Sequence, residues 1–187
     1  MCIGTRIFIR NTRIGGLILP LWIIVIITVL IFQRLTELWI AKRNEKHLKS
    51  KGAVEFGKKH YKWFIIMHTA FFIALIFEMT YIKHVAYTIS PFLLILFLLT
   101  QIIRVWCIYS LGVYWNTKII IIPHEERITT GPYKFLNHPN YLIVGVELFV
   151  IPLMVQAYYT ALLFPLLHIL LMFIRIPAEN RALSRLR

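Results

Sequence analysis

Cysteine and acidic side chains are scarce in this sequence. Its two cysteines, Cys2 and Cys107, predict neither a disulfide framework nor a cysteine-based metal site. Only 8 residues are Asp or Glu against 21 Lys or Arg, which gives a formal charge of +13. Because the basic residues flank apolar runs, we interpret them as anchors beside anionic membrane lipids, and we predict no nucleic-acid partner.

Several organising features are also missing. The sequence shows no internal repeat, no low-complexity linker and no glycine-rich dinucleotide fingerprint. The first 16 residues are basic, but the long apolar run that follows has no small-residue cleavage site. We therefore expect a retained helix rather than a signal peptide.

Apolar residues are abundant instead. They make up 59% of the 187 residues, and the mean hydropathy is +0.71. Several runs approach or exceed the roughly 20 apolar residues that span a bilayer. We predict an all-α, polytopic membrane protein, a single domain over 1–187 with five transmembrane helices. The N-terminal segment is 1–16, and the spans are 17–40, 63–82, 88–114, 141–155 and 158–176.

The basic residues also predict an orientation. Eight Lys or Arg lie in 42–62, whereas Lys83 is the only one between the second and third spans. The positive-inside rule therefore places 42–62, 115–140 and the carboxyl-terminal tail in the cytoplasm. The amino terminus is then outside, although three arginines in 1–16 favour the opposite.

This topology gathers most of the polar residues of the spans near the inner face. Such residues are costly in a membrane and so indicate function. Those within the spans are Arg34, Glu37, Gln101, Arg104, Glu147 and Arg175, with His138 and Glu179 bordering the same surface. Glu78, near the outer end of its span, is interpreted as structural and satisfied by Lys83 or water.

The stretch from Gly131 to Tyr141, reading GPYKFLNHPNY, concentrates turn formers, aromatics and a histidine. Gly131 and Pro132 predict a turn, and Pro139 suits the first turn of a helix. Asn137 or His138 would be its N-cap. The free N–H groups of a helix start can bind an anion, but spacing alone favours a simple capped helix.

This sequence resembles the isoprenylcysteine carboxyl methyltransferase family of integral membrane enzymes. The likeness is carried by Gly131-Pro132-Tyr133, by His138-Pro139-Asn140-Tyr141, by Arg175 followed by Glu179, and by Leu111-Gly112 and Trp115 upstream. It covers the second half of the chain. The stretch 114–118 resembles the small bacterial branch, part of which is associated with methylating long-chain alkylpyrones.

Two positions depart from the family pattern. Asn137 stands where the family usually has Arg, which removes a positive charge that could meet the carboxylate of the cofactor. Asn180 stands where the family usually has a second Glu, which removes a negative charge. Either change alters the charge that the site offers to its ligands.

The resemblance implies S-adenosylmethionine bound at the cytoplasmic face, and a lipophilic acceptor such as an isoprenylcysteine or an alkylpyrone that enters from the bilayer. Glu179 suits the ribose hydroxyls or the ammonium group, and Tyr133 and Tyr141 suit adenine or the sulfonium. Arg104 and Arg175 suit an anionic acceptor oxygen and are the expected catalytic residues. The expected cofactor-binding residues are Gly131, Tyr133, His138, Pro139, Tyr141 and Glu179. Residence in a bacterial inner membrane, with the carboxyl terminus in the cytoplasm, fits this branch.

Plainer interpretations of the same residues stay open. Arg175 can snorkel at a helix end, Arg104 can pair with Glu147, Tyr141 can belong to an interfacial belt, and His138 can be only an N-cap. His68 and His168 read as core residues, and His124 with Glu125 and Glu126 as a solvated loop rather than a metal site. Two other functions remain as well: a membrane NADPH-dependent reductase, since sterol reductases resemble this architecture, and a non-enzymatic scaffold or lipid-binding protein.

Overall fold

A computed structural model describes residues 11–14, 17–82 and 90–185. Most of these residues are helical, as predicted. The helices are α1 Leu21–Ser50, α2 Lys58–Phe77, α3 Pro91–Leu111, α4 Pro139–Met154 and α5 Tyr158–Arg185. The strands are short: β1 Asn11–Ile14, β2 Leu17–Pro20, β3 Val54–Phe56 and β4 Ile119–Ile121. A π-helix, Glu78–Ile82, extends α2, and a 3-10 helix, Gly112–Tyr114, follows α3.

Among the described residues, four helices are long and apolar enough to cross a membrane: Leu21–Ser50, His60–Tyr81, Pro91–Tyr114 and Tyr158–Ser184. The predicted fourth span is shorter. With 16 residues, α4 is about 24 Å long, against about 30 Å for the hydrocarbon core of a bilayer. Helices α4 and α5 form the expected tight hairpin, and Gln156 makes the turn with a positive φ of 58°.

Several helix ends differ from the predicted spans. Leu17–Pro20 is a strand, and α1 continues through the charged residues as far as Ser50. Lys49 pairs with Glu45 one turn earlier at 2.5 Å, a spacing that stabilises helix. Helix α5 likewise continues through Pro177 to Arg185, although an interior proline removes a main-chain hydrogen bond. Residues 88 and 89, predicted to begin the third span, lie outside the described part of the chain.

The chain divides into two compact units, residues 1–37 and 38–187. In the first unit, β1 and β2 form an antiparallel hairpin in which Ile14 lies opposite Leu17. The first part of α1 belongs to the same unit. There, Arg34 Nη1 lies 3.1 Å from Glu37 Oε2, so these two candidate polar residues form an ion pair within one helix.

In the second unit, α4 packs against both α3 and α5, and α5 also packs against α2. Most side chains of α4 are buried by these neighbours, including Ile143, Leu148, Val150 and Ile151. Large apolar side chains on the other helices are exposed, among them Phe92, Ile102 and Phe173. The distribution suits a bundle whose outer helices face lipid and whose short helix lies inside.

One end of the second unit is polar. The Asn44 amide near the end of α1 donates to the carbonyls of Gly112 at 3.1 Å and Trp115 at 2.8 Å, which follow α3. Strands β3 and β4 pair antiparallel, and both contact α5. The stretches predicted to lie in the cytoplasm therefore meet at a common end.

The carboxylate of Glu78 lies at the amino terminus of α5, away from this polar end. Its carboxylate accepts hydrogen bonds from the backbone N–H groups of Tyr159 at 3.0 Å and Thr160 at 2.8 Å, and from the Thr160 hydroxyl at 2.7 Å. A carboxylate there satisfies helix N–H groups that have no intrahelical acceptor. Glu78 is thus structural, as expected, and it binds the helix N–H groups; its other predicted partner, Lys83, lies outside the described residues.

Candidate functional site

The site begins where α4 starts. Pro139 is the first residue of α4 and His138 is its N-cap, as predicted, but the His138 side chain makes no capping hydrogen bond. Its ring stacks instead on Tyr141, with 5.4 Å between ring centroids and 14° between planes. The imidazole therefore packs on the first turn of α4 without capping it, and its nitrogens lie near Glu179 and Asn180 of α5.

Four of the predicted site residues are in contact. The Tyr141 hydroxyl donates to Glu179 Oε2 at 2.5 Å and accepts from Arg175 Nε at 3.1 Å. His138 Nδ1 lies 3.7 Å from the same Glu179 oxygen. His138 Nε2 lies 3.2 Å from Asn180 Oδ1. We call His138, Tyr141, Arg175 and Glu179 the inner cluster.

The helical hairpin explains why these residues meet. His138 and Tyr141 are three residues apart, and Arg175 and Glu179 are four apart, so each pair lies on one helix face. Because α4 and α5 are joined by a tight turn, the start of α4 lies beside the end of α5. The hairpin therefore brings both pairs to one place.

Arg175 is buried rather than snorkelling to water, with only 4% of its surface exposed. Its Nη2 donates to the Thr117 carbonyl at 2.9 Å, and its guanidinium carbon lies 5.4 Å from the centre of the Phe64 ring. Its Nη1 is also buried and has no hydrogen-bond partner among the described residues. A buried N–H group without an acceptor is costly, so this atom is suited to a ligand oxygen.

Polar contacts hold the Thr117 carbonyl in place. The Asn116 side chain donates to the Ala41 carbonyl at 3.0 Å and accepts from the Lys118 backbone N–H at 3.0 Å. Lys118 Nζ donates to Glu45 at 2.8 Å. Burial lowers the pKa of Lys118, but the hydrogen bond to Glu45 and the negative charges of Glu45 and Glu55 together outweigh burial, so this pKa is raised and the ammonium stays charged. The segment that binds Arg175 is therefore tied to the end of α1.

Tyr133 lies on a 3-10 helix, Gly131–Lys134, that packs against α3. Burial raises the pKa of its hydroxyl above the usual range, and nearby Cys107 and Glu179 add to this effect while Arg127 opposes it. The Tyr133 hydroxyl is consequently protonated near neutral pH and lies within the electrostatic reach of Glu179. It is a candidate hydrogen-bond donor at the edge of the inner cluster.

Two of the predicted cofactor-binding residues, Gly131 and Pro139, determine the local backbone conformation. Gly131 has a positive φ of 57°, and a Cβ there would lie 2.1 Å from Ser110 Oγ and 3.0 Å from Trp106 Nε1. Glycine is thus required for the turn to approach α3. Pro139 is buried at the first position of α4. Cofactor binding by either residue remains a prediction.

Arg104 lies in another contact. Its Nη1 is 2.8 Å from Glu147 Oε2, and Gln101 donates to the other oxygen of that carboxylate at 3.0 Å. Both charged side chains are buried, so the contact joins α3 to α4 inside the bundle. The geometry matches the alternative of a structural ion pair between α3 and α4.

Other residues that contact the site could not be identified from the sequence. Thr117 takes part through its carbonyl, which no side-chain motif reveals, and Phe64 is one aromatic residue among many. Arg127 donates to the side chain of Asn137 at 3.1 Å and also to its carbonyl, so a guanidinium lies beside position 137 after all.

A cavity of 530 Å³ lies next to Arg127 and not between the residues of the inner cluster. Its described walls are His124, Glu125, Glu126, Arg127 and Thr129. The Arg127–Asn137 contact connects this cavity to the start of α4. Its volume is within the usual range for small-molecule sites, about 300–1,000 Å³.

Helices long enough to span a membrane, with a charged cluster around the buried Arg175 at one end, define a polytopic membrane protein with a polar site. The family model of the isoprenylcysteine carboxyl methyltransferase (ICMT) family matches residues 92–185, and the chain belongs to this family. The matched region contains the whole inner cluster. Membership places the chain among membrane methyltransferases.

The chain is also similar to two uncharacterized bacterial proteins. It is 42% identical to the protein YpbQ of Bacillus subtilis (strain 168) over 159 residues, which cover 85% of this chain and 95% of YpbQ. It is 32% identical to a protein of Haemophilus influenzae (strain ATCC 51907 / DSM 11121 / KW20 / Rd) over 154 residues, 82% of this chain and 90% of that protein. No solved structure matches the chain.

Proposed function

We propose that the protein transfers a methyl group from S-adenosylmethionine to an oxygen of a lipophilic acceptor. The observation that carries this proposal is the inner cluster, where a buried arginine with an unpartnered nitrogen lies beside a carboxylate within the family's matched region. When bound, S-adenosylmethionine supplies a methyl group on a positively charged sulfur, and the transfer leaves that sulfur neutral.

The residues of the inner cluster fit the donor chemically. Glu179 uses Oε2 for Tyr141, and no described residue donates to its Oε1. That oxygen can accept from ribose hydroxyls or from an ammonium group. The stacked rings of His138 and Tyr141 offer an aromatic surface for adenine or for a cation. Tyr133 adds a protonated hydroxyl nearby.

Arg175 is suited to the acceptor. Its Nη1 can donate to a carboxylate or enolate oxygen, and its other nitrogens are fixed by Thr117 and Tyr141. Such an acceptor is already largely ionised near neutral pH, so the protein must align the reactants and exclude water more than it must remove a proton. Burial among α2, α4 and α5 serves both needs.

The inner cluster also fits the proposed location. It lies at the end of the second unit where the basic stretches meet, which supports a site at the cytoplasmic face of a bacterial inner membrane. A water-soluble donor would reach it from the cytoplasm, and a lipophilic acceptor, such as an alkylpyrone or an isoprenylcysteine, would reach it from the bilayer.

Isothermal titration of the detergent-purified protein tests the proposal. We expect S-adenosylmethionine and S-adenosylhomocysteine to bind and NADPH not to bind. Binding of NADPH alone would favour the reductase alternative. Binding of none of the three at millimolar concentration would favour a scaffold or lipid-binding protein and contradict the proposal.

A further inference from the structure

Two exposed apolar side chains stand out beside the site. Phe135 and Leu136 follow the 3-10 helix Gly131–Lys134 and are 75% and 47% exposed. Their backbone N–H groups both bond to the Pro132 carbonyl at 3.1 Å, so a closed turn holds them. They lie in the segment between α3 and α4 and are flanked by the polar residues Lys134 and Asn137. Together they form an exposed apolar surface on this turn.

The position of the turn indicates what covers that surface. Gly131 packs against Ser110 and Trp106 near the carboxyl end of α3. The neighbouring exposed aromatics of α3 are Trp106, at 47%, and Tyr109, at 85%. Exposed Trp and Tyr near the end of a spanning helix are typical of the level of the lipid headgroups. The turn is therefore fixed to α3 at that level.

We propose that Phe135 and Leu136 insert into the interfacial layer of the bilayer, while exposed Lys134 lies among anionic headgroups. The apolar pair continues the lipid-facing surface of α3, and the charge of Lys134 complements anionic lipid. A second protein is a poorer occupant. A phenylalanine buries about 150–250 Å², whereas a standard protein interface buries about 800 Å² on each partner.

The insertion has a consequence for the site. In the same turn Tyr133 is half-buried, whereas Phe135 and Leu136 are exposed. Insertion of Phe135 and Leu136 therefore holds this turn, and Tyr133 with it, at the membrane surface. This consequence rests on the proposed function, because it explains how an acceptor could reach Arg175 without leaving the lipid. The insertion itself does not depend on any methyl donor.

Depth-dependent fluorescence quenching tests the insertion. Phe135→Cys is made in a Cys2→Ser background and labelled with the environment-sensitive dye NBD. The Cys2→Ser protein without Phe135→Cys still contains Cys107, so it is labelled in the same way and its fluorescence is subtracted. The protein is reconstituted in phosphatidylcholine vesicles with one quarter phosphatidylglycerol. Lys51→Cys, at an exposed position in the turn after α1, is the matched control.

We expect lipids with a doxyl quencher near the headgroup to quench the Phe135 dye at least about threefold more than the Lys51 dye, and aqueous iodide to do the reverse. Equal iodide quenching of the two dyes would overturn the proposal. Protection from iodide that appears only at high protein-to-lipid ratio, without doxyl quenching, would identify a second copy as the occupant and would also overturn it. Because no cofactor is present, failure of methyl-donor binding leaves this test unaffected.

Discussion

Tyr141 connects the charged residues of the inner cluster. Its hydroxyl donates to Glu179 and accepts from Arg175, and its ring stacks on His138. Its backbone carbonyl lies 3.0 Å from Nε2 of His168. This contact gives the buried imidazole a hydrogen-bond partner inside the bundle. Contacts to both its main chain and its side chain fix Tyr141, so its neighbours are preorganised for a ligand.

At this scale we expect His138→Ala and Glu179→Ala each to weaken S-adenosylhomocysteine binding at least about tenfold, equal to about 1.4 kcal/mol. The first change removes the stacked imidazole, and the second removes the carboxylate that faces the ligand. Isothermal titration measures both affinities, and size-exclusion chromatography checks that each variant stays folded and monodisperse. His47→Ala, an exposed histidine at the end of α1, is the matched control. Unchanged affinity in both variants would remove these two residues from the site.

Arg104 gives a different prediction, because it is buried against Glu147. Arg104→Ala leaves a buried carboxylate without this partner, which typically destabilises a protein by about 3–5 kcal/mol. We expect a large fall in the thermal unfolding temperature in detergent, and recovery of most of it in the double variant Arg104→Leu with Glu147→Leu. A double variant as unstable as Arg104→Ala would show that the ion pair is not the main role of Arg104.

At the scale of elements, the sequence predicted some features because their signals are local. Pro139, preceded by Asn137 and His138, predicted the start of α4, and Gln156 with Ala157 predicted the hairpin. The continuation of α1 to Ser50 was not predicted, because Lys-rich sequence after an apolar run looks like a loop until the pairing of Lys49 and Lys118 with Glu45 is known. One of these contacts comes from Lys118, which is distant in sequence from Glu45.

The contacts within the site depended on tertiary structure. Sequence spacing placed Arg175 and Glu179 on one helix face, but only the packing of the hairpin shows that they meet Tyr141. The choice between an acceptor-binding and an ion-paired Arg104 likewise depends on which side of α4 faces α3. The Thr117 carbonyl and Phe64 had no sequence signal, because carbonyl groups are present at every residue and aromatics are common in this chain.

The turn that carries Tyr133 provides a prediction at this scale. Gly131 and Gly112 both have a positive φ, 57° and 51° respectively. A Cβ added at Gly131 would clash with Ser110, whereas a Cβ added at Gly112 would have no neighbouring atom within 4 Å. Gly112→Ala therefore carries backbone strain alone, about 1–3 kcal/mol. We expect Gly131→Ala to lower the unfolding temperature further and to weaken cofactor binding, because the turn must move off α3.

Adding Ser110→Gly to Gly131→Ala should restore part of the loss, since Ser110 Oγ is the nearest atom to the added carbon. Calorimetry and titration of the three variants measure these effects. Equal losses in Gly112→Ala and Gly131→Ala would show that the close approach of the turn to α3 is unimportant.

At the scale of the whole molecule, orientation in the membrane decides which compartment supplies the methyl donor. Alkaline phosphatase and green fluorescent protein, fused separately after Arg187, report the side of the carboxyl terminus in bacterial cells. We expect the fluorescent fusion to be bright and the phosphatase fusion inactive, since the tail is basic. Fusions after Lys83, in the predicted outer loop, should give the opposite pattern. An active phosphatase after Arg187 would place the inner cluster on the wrong side for a cytoplasmic donor.

The most direct test of the central claim, that the inner cluster holds the methyl donor, is photochemical labelling of the purified protein with tritiated S-adenosylmethionine. Mapping the labelled peptides by mass spectrometry then locates the donor. We expect label in peptides that contain residues 133–141 or 175–180, its loss on addition of S-adenosylhomocysteine, and its loss in Glu179→Ala. Label confined to other parts of the chain, or label that S-adenosylhomocysteine does not displace, would contradict the account.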